Sequence, residues 1–162
     1  LKWVNDVLLD GAKVAGVLAA AQSRGPRITG LAYGVGLNLA VVPDVAPTLF
    51  VPRVTSLREQ GADVGLGPAA AALLRRLGQH VADLARGGPG AAVAAYRALC
   101  GDIGRRVAVY AEGVPDTADR EALPDPVARG RVRALDEQLG LVIDGAPAPL
   151  TGGRLHHLDS GQ

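Results

Sequence analysis

The sequence contains no methionine, one cysteine and one tryptophan, and aromatic residues make up only 3% of its 162 positions. A lone cysteine excludes a disulfide framework and a cysteine-based metal site. Because aromatic side chains are scarce, a core must be built from Ala, Val and Leu, and a hydrophobic share of 48% supplies enough of them. A chain that opens at Leu1 without methionine is expected to be a piece of a longer protein.

A charge excess of either sign is also absent, since 17 basic residues oppose 16 acidic ones. Without a basic run, nucleic-acid binding through this segment is not expected. No uncharged apolar segment reaches about 18 residues, so we expect neither a transmembrane helix nor a membrane partner. Cysteine usage fits a reducing compartment, and the cytoplasm is the expected location.

The first forty residues predict three strands. Apolar runs at 7–9 and 14–18 flank Asp10-Gly11, a strong hairpin signal. After a polar break at 22–27, residues 28–40 are apolar and contain several glycines. This pattern predicts a buried third strand, antiparallel to the hairpin, that another backbone or a ligand approaches closely.

Two helices are predicted in the middle of the chain, at 68–84 and 89–100. Apolar residues recur at helical spacing along both, so core packing is their simplest interpretation. The first stripe consists of Leu73, Leu77, Val81 and Leu84.

From Gly104 onward, short apolar runs alternate with turns, at 107–110, 127–135, 139–143 and 150–158. This texture predicts a small β-barrel. We therefore divide the chain into residues 1–101 and residues 102–162. Three alternating arginines share one strand face, which is most simply solvated, with contact to a nucleotide or partner protein as the alternative: Arg129, Arg131 and Arg133.

Ordered motifs run through most of the chain. They are Lys-Trp-Val-Asn-Asp at 2–6, Gly-Ala-Lys-Val-Ala-Gly-Val-Leu at 11–18, Gly-Val-Gly-Leu-Asn at 34–38, Tyr-Arg-Ala-Leu-Cys at 96–100 and Gly-Arg-Arg-Val at 104–107. Together they resemble the biotin protein ligase family. The resemblance implies an α+β fold: a partial class II synthetase-like, mixed or antiparallel sheet with helices, followed by a small SH3-like β-barrel.

The activity that this resemblance implies is the ATP-dependent ligation of biotin to a lysine of a biotin carboxyl carrier protein, through biotinyl-5′-AMP. ATP and Mg²⁺ are the implied cofactors. The implied partner is the carrier protein of acetyl-CoA carboxylase or a related carboxylase, and a homodimer is a further candidate assembly.

The resemblance also assigns site residues. Lys2 matches the catalytic lysine that touches the biotin carboxylate and the α-phosphate, and an ordinary solvated lysine is the alternative. Gly16 would let the strand backbone face the biotin rings. The nucleotide is assigned to Lys13 and Asn38, for which a surface lysine at a turn and a strand-end cap are the alternatives. No metal ligand is assigned, and three residues are expected to support the site: Trp3, Asn5 and Asp6.

Trp3 is expected to pack beneath the site. Asn5 and Asp6 are expected to hold the hairpin and the lysine loop by hydrogen bonds to backbone, with direct ligand or metal contact as the alternative. Cys100 is predicted to be a small core residue. His156 and His157 are adjacent on a predicted strand, so they point to opposite faces and form a poor metal pair.

The chain departs from the family pattern at two positions, because Val4 replaces a proline and Ala20 stands where glutamate is frequent. The family's Gly/Arg-rich adenylate loop is expected upstream of Leu1, so the segment alone is expected to be inactive. Two alternatives stay open: a lipoate or octanoate ligase or transferase of the same fold, and a non-catalytic fragment or interaction module.

Overall fold

The computed structural model describes residues 1–159 and has two antiparallel sheets and two helices. This confirms the α+β class with antiparallel sheets. The elements in chain order are β1 (Asp6–Leu9), β2 (Ala12–Arg24), β3 (Arg27–Leu37), α1 (Leu66–Gly87), α2 (Gly90–Leu99), β4 (Arg106–Tyr110), β5 (Ala128–Leu135), β6 (Leu141–Ile143) and β7 (Arg154–His157).

The N-terminal sheet has the order β1-β2-β3, with each strand antiparallel to the next. Asp10 and Gly11 have φ values of 45° and 75°. Two successive positive φ values are the requirement of a tight type I′ turn, which confirms the predicted hairpin. A second turn at 25–26 joins β2 to β3, so the predicted polar break at 22–27 is wrong in extent. Strand pairing continues as far as the Arg24–Arg27 pair.

Cross-strand pairing gives this sheet two different faces, because residues directly opposite each other point the same way. One face is nearly flat and carries the pairs Gly16–Gly36 and Leu18–Gly34. The other face is bulkier and carries Val17–Val35, Ala19–Tyr33 and Ala21–Leu31.

The prediction that the third strand is buried is wrong for the described residues. All of β3 is exposed apart from two partly covered positions, Gly30 and Leu37. Ile28 and Leu31 are 68% and 52% exposed. Within residues 1–159, no element outside β1–β3 packs closely on this sheet. An apolar strand therefore remains open to solvent.

The two helices agree with their predicted positions to within a few residues. The last turn of α1 ends at Gly88, whose φ is 71° and whose N–H donates to the Leu84 carbonyl at 2.9 Å. The predicted core packing is wrong for α1, which contains no buried residue among those described. The stripe predicted at 89–100 does reach the core at its end, where Cys100 is buried and Tyr96 packs against the same cluster. Leu74 on α1 is 66% exposed, and α1 packs only against α2 within the described chain. Neither described helix is long and apolar enough to cross a membrane.

The C-terminal sheet has the order β6-β5-β4-β7 and is open, so no closed barrel forms within residues 1–159. The predicted strands at 139–143 and 150–158 are shorter than expected, and Leu150 makes only an isolated bridge to Leu141. The side chains of the three alternating arginines on β5 are exposed, as predicted. Five side chains that this sheet buries almost completely form most of its core: Val107, Val109, Val132, Leu141 and Leu155.

Trp3 joins the two parts of the molecule. Its side chain is 4% exposed and belongs to the core of the C-terminal sheet. The indole N–H donates to the Leu139 carbonyl at 3.0 Å. The segment that precedes β1 is therefore anchored to the C-terminal sheet, and this anchor helps to fix the position of the neighbouring Lys2.

Candidate active site

Lys2 lies in a tight turn that returns the chain to the start of β1. Its N–H donates to the Asp6 carbonyl at 2.9 Å, and the Asp6 N–H donates to the Lys2 carbonyl at 3.1 Å. The residue is only 7% exposed. The alternative of an ordinary solvated lysine therefore does not describe this side chain.

The Lys2 amino group donates a hydrogen bond to the backbone carbonyl of Phe50. Burial lowers the pKa of Lys2 below its ordinary value of 10.5, whereas the carboxylates of Asp6 and Asp102 act to raise this pKa. A buried ammonium that has lost hydration gains most from an anion placed beside it. Lys2 therefore suits contact with a carboxylate or a phosphate.

Asp6 and Lys13 form an ion pair, with Oδ1 and Nζ 2.5 Å apart and side chains 14% and 31% exposed. A hydrogen bond from a backbone group to the Asp6 carboxylate was predicted, and the structure shows this ion pair in its place. A Cβ built on Gly16 would lie 3.4 Å from Lys13 Cε and 3.6 Å from Asp6 Oδ1. The charged pair thus lies directly beside the flat face of the sheet.

A first cavity of about 600 Å³ opens between the segment at 1–5 that carries Lys2, the lysine segment, and the C-terminal sheet. Its polar lining combines cationic and titratable groups with two carboxylates: Lys2, Lys13, Arg53, Arg105, His156, His157, Asp6 and Asp102. Such a lining can hold a polyanion, because several positive groups converge without a continuous acidic wall.

A second cavity of about 800 Å³ lies over the sheet, and Lys13 lines it as well. The strand residues that line it are mostly small or apolar, with Gly16, Gly34 and Gly36 among them. Asn5 and Asn38 also line it. The structure therefore brings most of the predicted site residues around two cavities that share one lysine.

The two asparagines are fixed by hydrogen bonds to backbone. Asn5 Nδ2 donates to the Val17 carbonyl at 2.8 Å, and the Val17 N–H donates to the Asn5 carbonyl at 3.0 Å. Asn38 Nδ2 donates to the Thr55 carbonyl at 2.9 Å. Asn5 thus holds the hairpin as predicted, and Asn38 caps a strand end while still lining the second cavity.

Other predicted residues lie away from both cavities. Trp3 lines neither of them, because its indole is in the C-terminal core. Cys100 is 8% exposed and belongs to the same core, as predicted. Within residues 1–159, no group of three or more His, Cys, Asp or Glu side chains could hold a metal ion.

Sequence reasoning missed the segment at 47–53, which forms part of the wall of the first cavity. Phe50 is 3% exposed, its ring meets the Tyr110 ring edge-on with centroids 5.6 Å apart, and the Arg154 guanidinium lies 4.1 Å from its centroid. Its backbone carbonyl accepts from Lys2. A single phenylalanine in a proline-punctuated loop was the available signal.

The two histidines do point to opposite faces, as predicted. His156 Nδ1 lies 2.9 Å from the Leu49 carbonyl, and His157 Nε2 lies 2.6 Å from Asp102 Oδ1. Burial lowers the pKa of His156, so this ring favours its neutral form. Neither contact was predicted, because each joins residues that are distant in sequence.

Comparison with known proteins gives consistent relatives, although no family model matches the chain. Over 161 residues, 98% of the chain, it is 34% identical to the biotin–[acetyl-CoA-carboxylase] ligase of Mycobacterium tuberculosis. Over 44 residues, 27% of the chain and 18% of the relative, it is 52% identical to the ligase of that name from Paracoccus denitrificans. The chain spans 53% of the M. tuberculosis protein, about half its length.

Solved structures agree. The apo structure of biotin protein ligase from Aquifex aeolicus matches with a TM-score of 0.71 and 21% identity, covering 97% of this chain and 63% of that chain. The structure of that ligase in complex with biotin and ATP matches with a TM-score of 0.68 and 20% identity, covering 97% and 60%. The fold is therefore that of the biotin protein ligases.

The sequence match makes the relationship more specific. It relates the chain to the biotin–[acetyl-CoA-carboxylase] ligases and is consistent with a C-terminal part of such a ligase.

Proposed function

We propose that the complete protein containing this chain ligates biotin to a lysine of a biotin carboxyl carrier protein at the expense of ATP. One observation carries the proposal: a buried lysine in a Lys-Trp-x-Asn-Asp segment borders a cationic cavity, within a chain 34% identical to a biotin ligase over 98% of its length. The relatives and solved structures described above are biotin ligases, so the lipoate and non-catalytic alternatives are not favoured.

The first step joins two anions. An oxygen of the biotin carboxylate attacks the α-phosphorus of ATP, the bond to the bridging oxygen breaks, and pyrophosphate leaves with the electron pair. A cation about 4 Å from the growing charge contributes on the order of 4 kcal/mol at an effective dielectric near 20, before desolvation. We assign this role to Lys2, and it is the catalytic residue of the proposal.

The second step releases the nucleotide. The neutral amine of a carrier lysine attacks the acyl carbon of biotinyl-5′-AMP, and an amide bond forms as the bond from that carbon to the phosphate oxygen breaks. AMP leaves with the electron pair, and the amine proton passes to solvent. The carrier protein, from acetyl-CoA carboxylase or a related carboxylase, is the proposed partner. We also propose that the protein forms a homodimer.

The two cavities suit the two substrates. We assign biotin to the second cavity, where the flat strand face at Gly16 leaves room for a fused ring system. We assign the nucleotide to the side of Lys13 and Asn38, with its phosphates toward the first cavity and its cationic lining. Lys13 borders both cavities. This position supports Lys13 as the junction where the biotin carboxylate meets the α-phosphate of ATP.

Mg²⁺ fits the chemistry as a companion of the ATP phosphates, because this ion binds through one or two carboxylates plus phosphate oxygens and keeps several waters. Asp6 is the carboxylate nearest the proposed junction, and it is paired with Lys13. Bound Mg²⁺ would neutralise phosphate charge there. We assign no protein ligand to the ion.

For organisation, we propose residues 1–101 as the ligase portion and residues 102–162 as a small SH3-like domain. The four-stranded antiparallel sheet and the core packed on it support the second unit, although Trp3 and Cys100 of the first unit also contribute to that core. We propose a cytoplasmic location, in keeping with a single buried cysteine without a disulfide. We propose no role in nucleic-acid or membrane binding for this segment.

The proposal is tested by Lys2→Ala in the complete protein. Removing a charge that contacts the transition state should lower the rate of adenylate formation by about 100-fold or more. Pyrophosphate release with biotin and ATP measures this rate. Release at nearly the wild-type rate would show that Lys2 is not the catalytic residue.

Arg58→Ala is the matched control, since it also removes one positive charge. Arg58 pairs with Asp63 at the surface, and both side chains are more than half exposed. Loss of such a pair changes stability little, so pyrophosphate release should remain at the wild-type rate.

A further inference from the structure

Asp102 is a fully buried carboxylate that the proposed chemistry does not use. It follows α2, and its relative exposure is 0%. Such a group is costly unless both oxygens are paired. Here Oδ2 accepts the Trp3 N–H at 2.6 Å, and Oδ1 lies 2.6 Å from His157 Nε2. One carboxylate thus connects the residue after Lys2 to the last strand, β7.

Other bonds hold the lysine segment to the same region. The Gly101 N–H donates to the Leu1 carbonyl at 2.8 Å, and the Trp3 indole donates to Leu139 at 3.0 Å. These contacts lie on both sides of Lys2, and none of them belongs to the β1–β2 hairpin. The backbone position of Lys2 is therefore set by its own two hydrogen bonds to Asp6 together with residues of the second half of the chain, which hold its neighbours Leu1 and Trp3.

We infer that Asp102 and His157 are positioning residues for the Lys2 amino group. Asp102 holds the Trp3 backbone, and His157 fixes the orientation of the Asp102 carboxylate by donating Nε2–H to Oδ1. This inference rests on the proposed function of Lys2. Its expected importance follows from geometry, because a displacement of about 1 Å at a reacting group can cost about 100-fold in rate.

Kinetics of the complete protein test the inference first. Asp102→Ala and His157→Ala should each lower kcat for adenylate formation by about 10- to 100-fold. The loss should appear in kcat more than in the KM values for biotin and ATP, because the inferred role is to position the Lys2 amino group, even though both residues border the first cavity. Asp102→Asn should recover much of the lost rate, because its amide oxygen still accepts the Trp3 N–H.

Asp144→Asn is the matched control. This carboxylate lies in the C-terminal unit and pairs with Arg133 at the surface, where its side chain is 39% exposed. The variant should keep the wild-type kcat. A loss of kcat in Asp144→Asn as large as that in Asp102→Ala would overturn the inference, because removal of a distant carboxylate charge alone would then explain both.

A second experiment asks whether Asp102 acts through Lys2. In a Lys2→Ala background, Asp102→Ala should produce no further loss of rate, since there is no amino group left to position. A loss as large as that in the wild-type background would assign Asp102 a general structural role and overturn the inference.

A third readout does not depend on ligase activity. The chain has only two lysines, Lys2 and Lys13, so competitive amine labelling with peptide mapping compares them directly. Asp102→Ala should raise labelling of Lys2 relative to Lys13 in the folded protein. An unchanged ratio would overturn the inference.

This labelling separates the two proposals. If the complete protein has no ligase activity but Asp102→Ala still raises the labelling ratio, the proposed function is wrong and the positioning role of Asp102 is retained. Should the alanine variants fail to fold, His157→Gln and Asp102→Asn provide the test. The glutamine amide can donate to Asp102, so a labelling ratio and kcat near those of the wild type are expected. A large fall in kcat together with a raised Lys2 labelling ratio in both variants would contradict the inference.

Discussion

At the scale of single residues, the pKa of Lys2 gives a prediction about stability. Burial lowers that pKa below 10.5. Between the lowered pKa and 10.5, the unfolded chain binds more protons than the folded chain, so this group makes the free energy of unfolding rise with pH. At lower pH, the cost of burying the charged group is complete.

Lys2→Met removes this contribution. The stability of the wild type relative to Lys2→Met should therefore increase as pH rises from neutral toward 10.5, as measured by denaturant unfolding of both proteins. Burial raises the pKa of Tyr96, which lowers stability above the ordinary tyrosine pKa of 10.0, but both proteins share this effect and it cancels in the difference. Parallel pH profiles for the two proteins would be inconsistent with a lowered Lys2 pKa.

Single residues also show what the sequence can and cannot reveal. Asn5 and Asn38 could be assigned backbone-bonding roles because such roles are local and follow from hairpin and strand ends. The pairing of Asp102 with His157 could not be predicted, since 55 positions separate them and no local pattern joins them. The hydrogen bond from Lys2 to the Phe50 carbonyl could not be predicted either, because every residue has a backbone carbonyl.

At the scale of elements, the flat face of the N-terminal sheet gives a second prediction. Gly16→Val should weaken biotin binding by the complete protein, because the added methyl groups would project into the second cavity. The Cβ position itself is tolerable, with Lys13 Cε at 3.4 Å as its nearest neighbour. Melting temperature should change little, and calorimetry should show the loss of affinity.

Ala19→Val serves as the control on the same strand. Ala19 pairs with Tyr33 on the opposite face and does not line the cavity. The substitution adds the same two methyl groups to an exposed alanine position. Equal weakening of biotin binding by both variants would point to a general effect on β2 and against the assignment of Gly16.

Elements were predicted more accurately than their burial. The Asp10-Gly11 hairpin and both helices lie close to their expected positions, because turn chemistry and helical periodicity are local properties. Periodicity identifies which side of α1 is apolar, but it carries no information about whether another element covers that side. The core-packing prediction failed for this reason in α1, and the prediction of a buried strand failed for the same reason in β3.

At the scale of the whole molecule, apolar surface remains open on both the sheet and the helices. Leu18 is 71% exposed and Leu31 is 52% exposed. Patches of this kind on a soluble protein usually mark surfaces that contact something else. The second cavity borders this open sheet, since Leu18 is part of its lining.

The 162-residue chain alone is therefore expected to bind biotin weakly, because one side of the second cavity is open to solvent. Isothermal titration calorimetry of the isolated chain, with the complete protein measured in parallel, would check this. Sub-micromolar binding by the isolated chain would mean that the described residues already enclose the ligand.

The anchoring of Trp3 has a consequence for the order of events during synthesis. Trp3 bonds to Leu139, which is translated 136 positions later. At about 5–20 residues per second, the lysine segment is synthesised roughly 7–27 s before this acceptor exists. The hairpin can form before that time, whereas the Lys2 amino group reaches its final position only after the end of the chain has been synthesised. A nascent chain released early would carry the whole Lys-Trp-Val-Asn-Asp motif but would lack the residues that hold Trp3, and with it Lys2, in position.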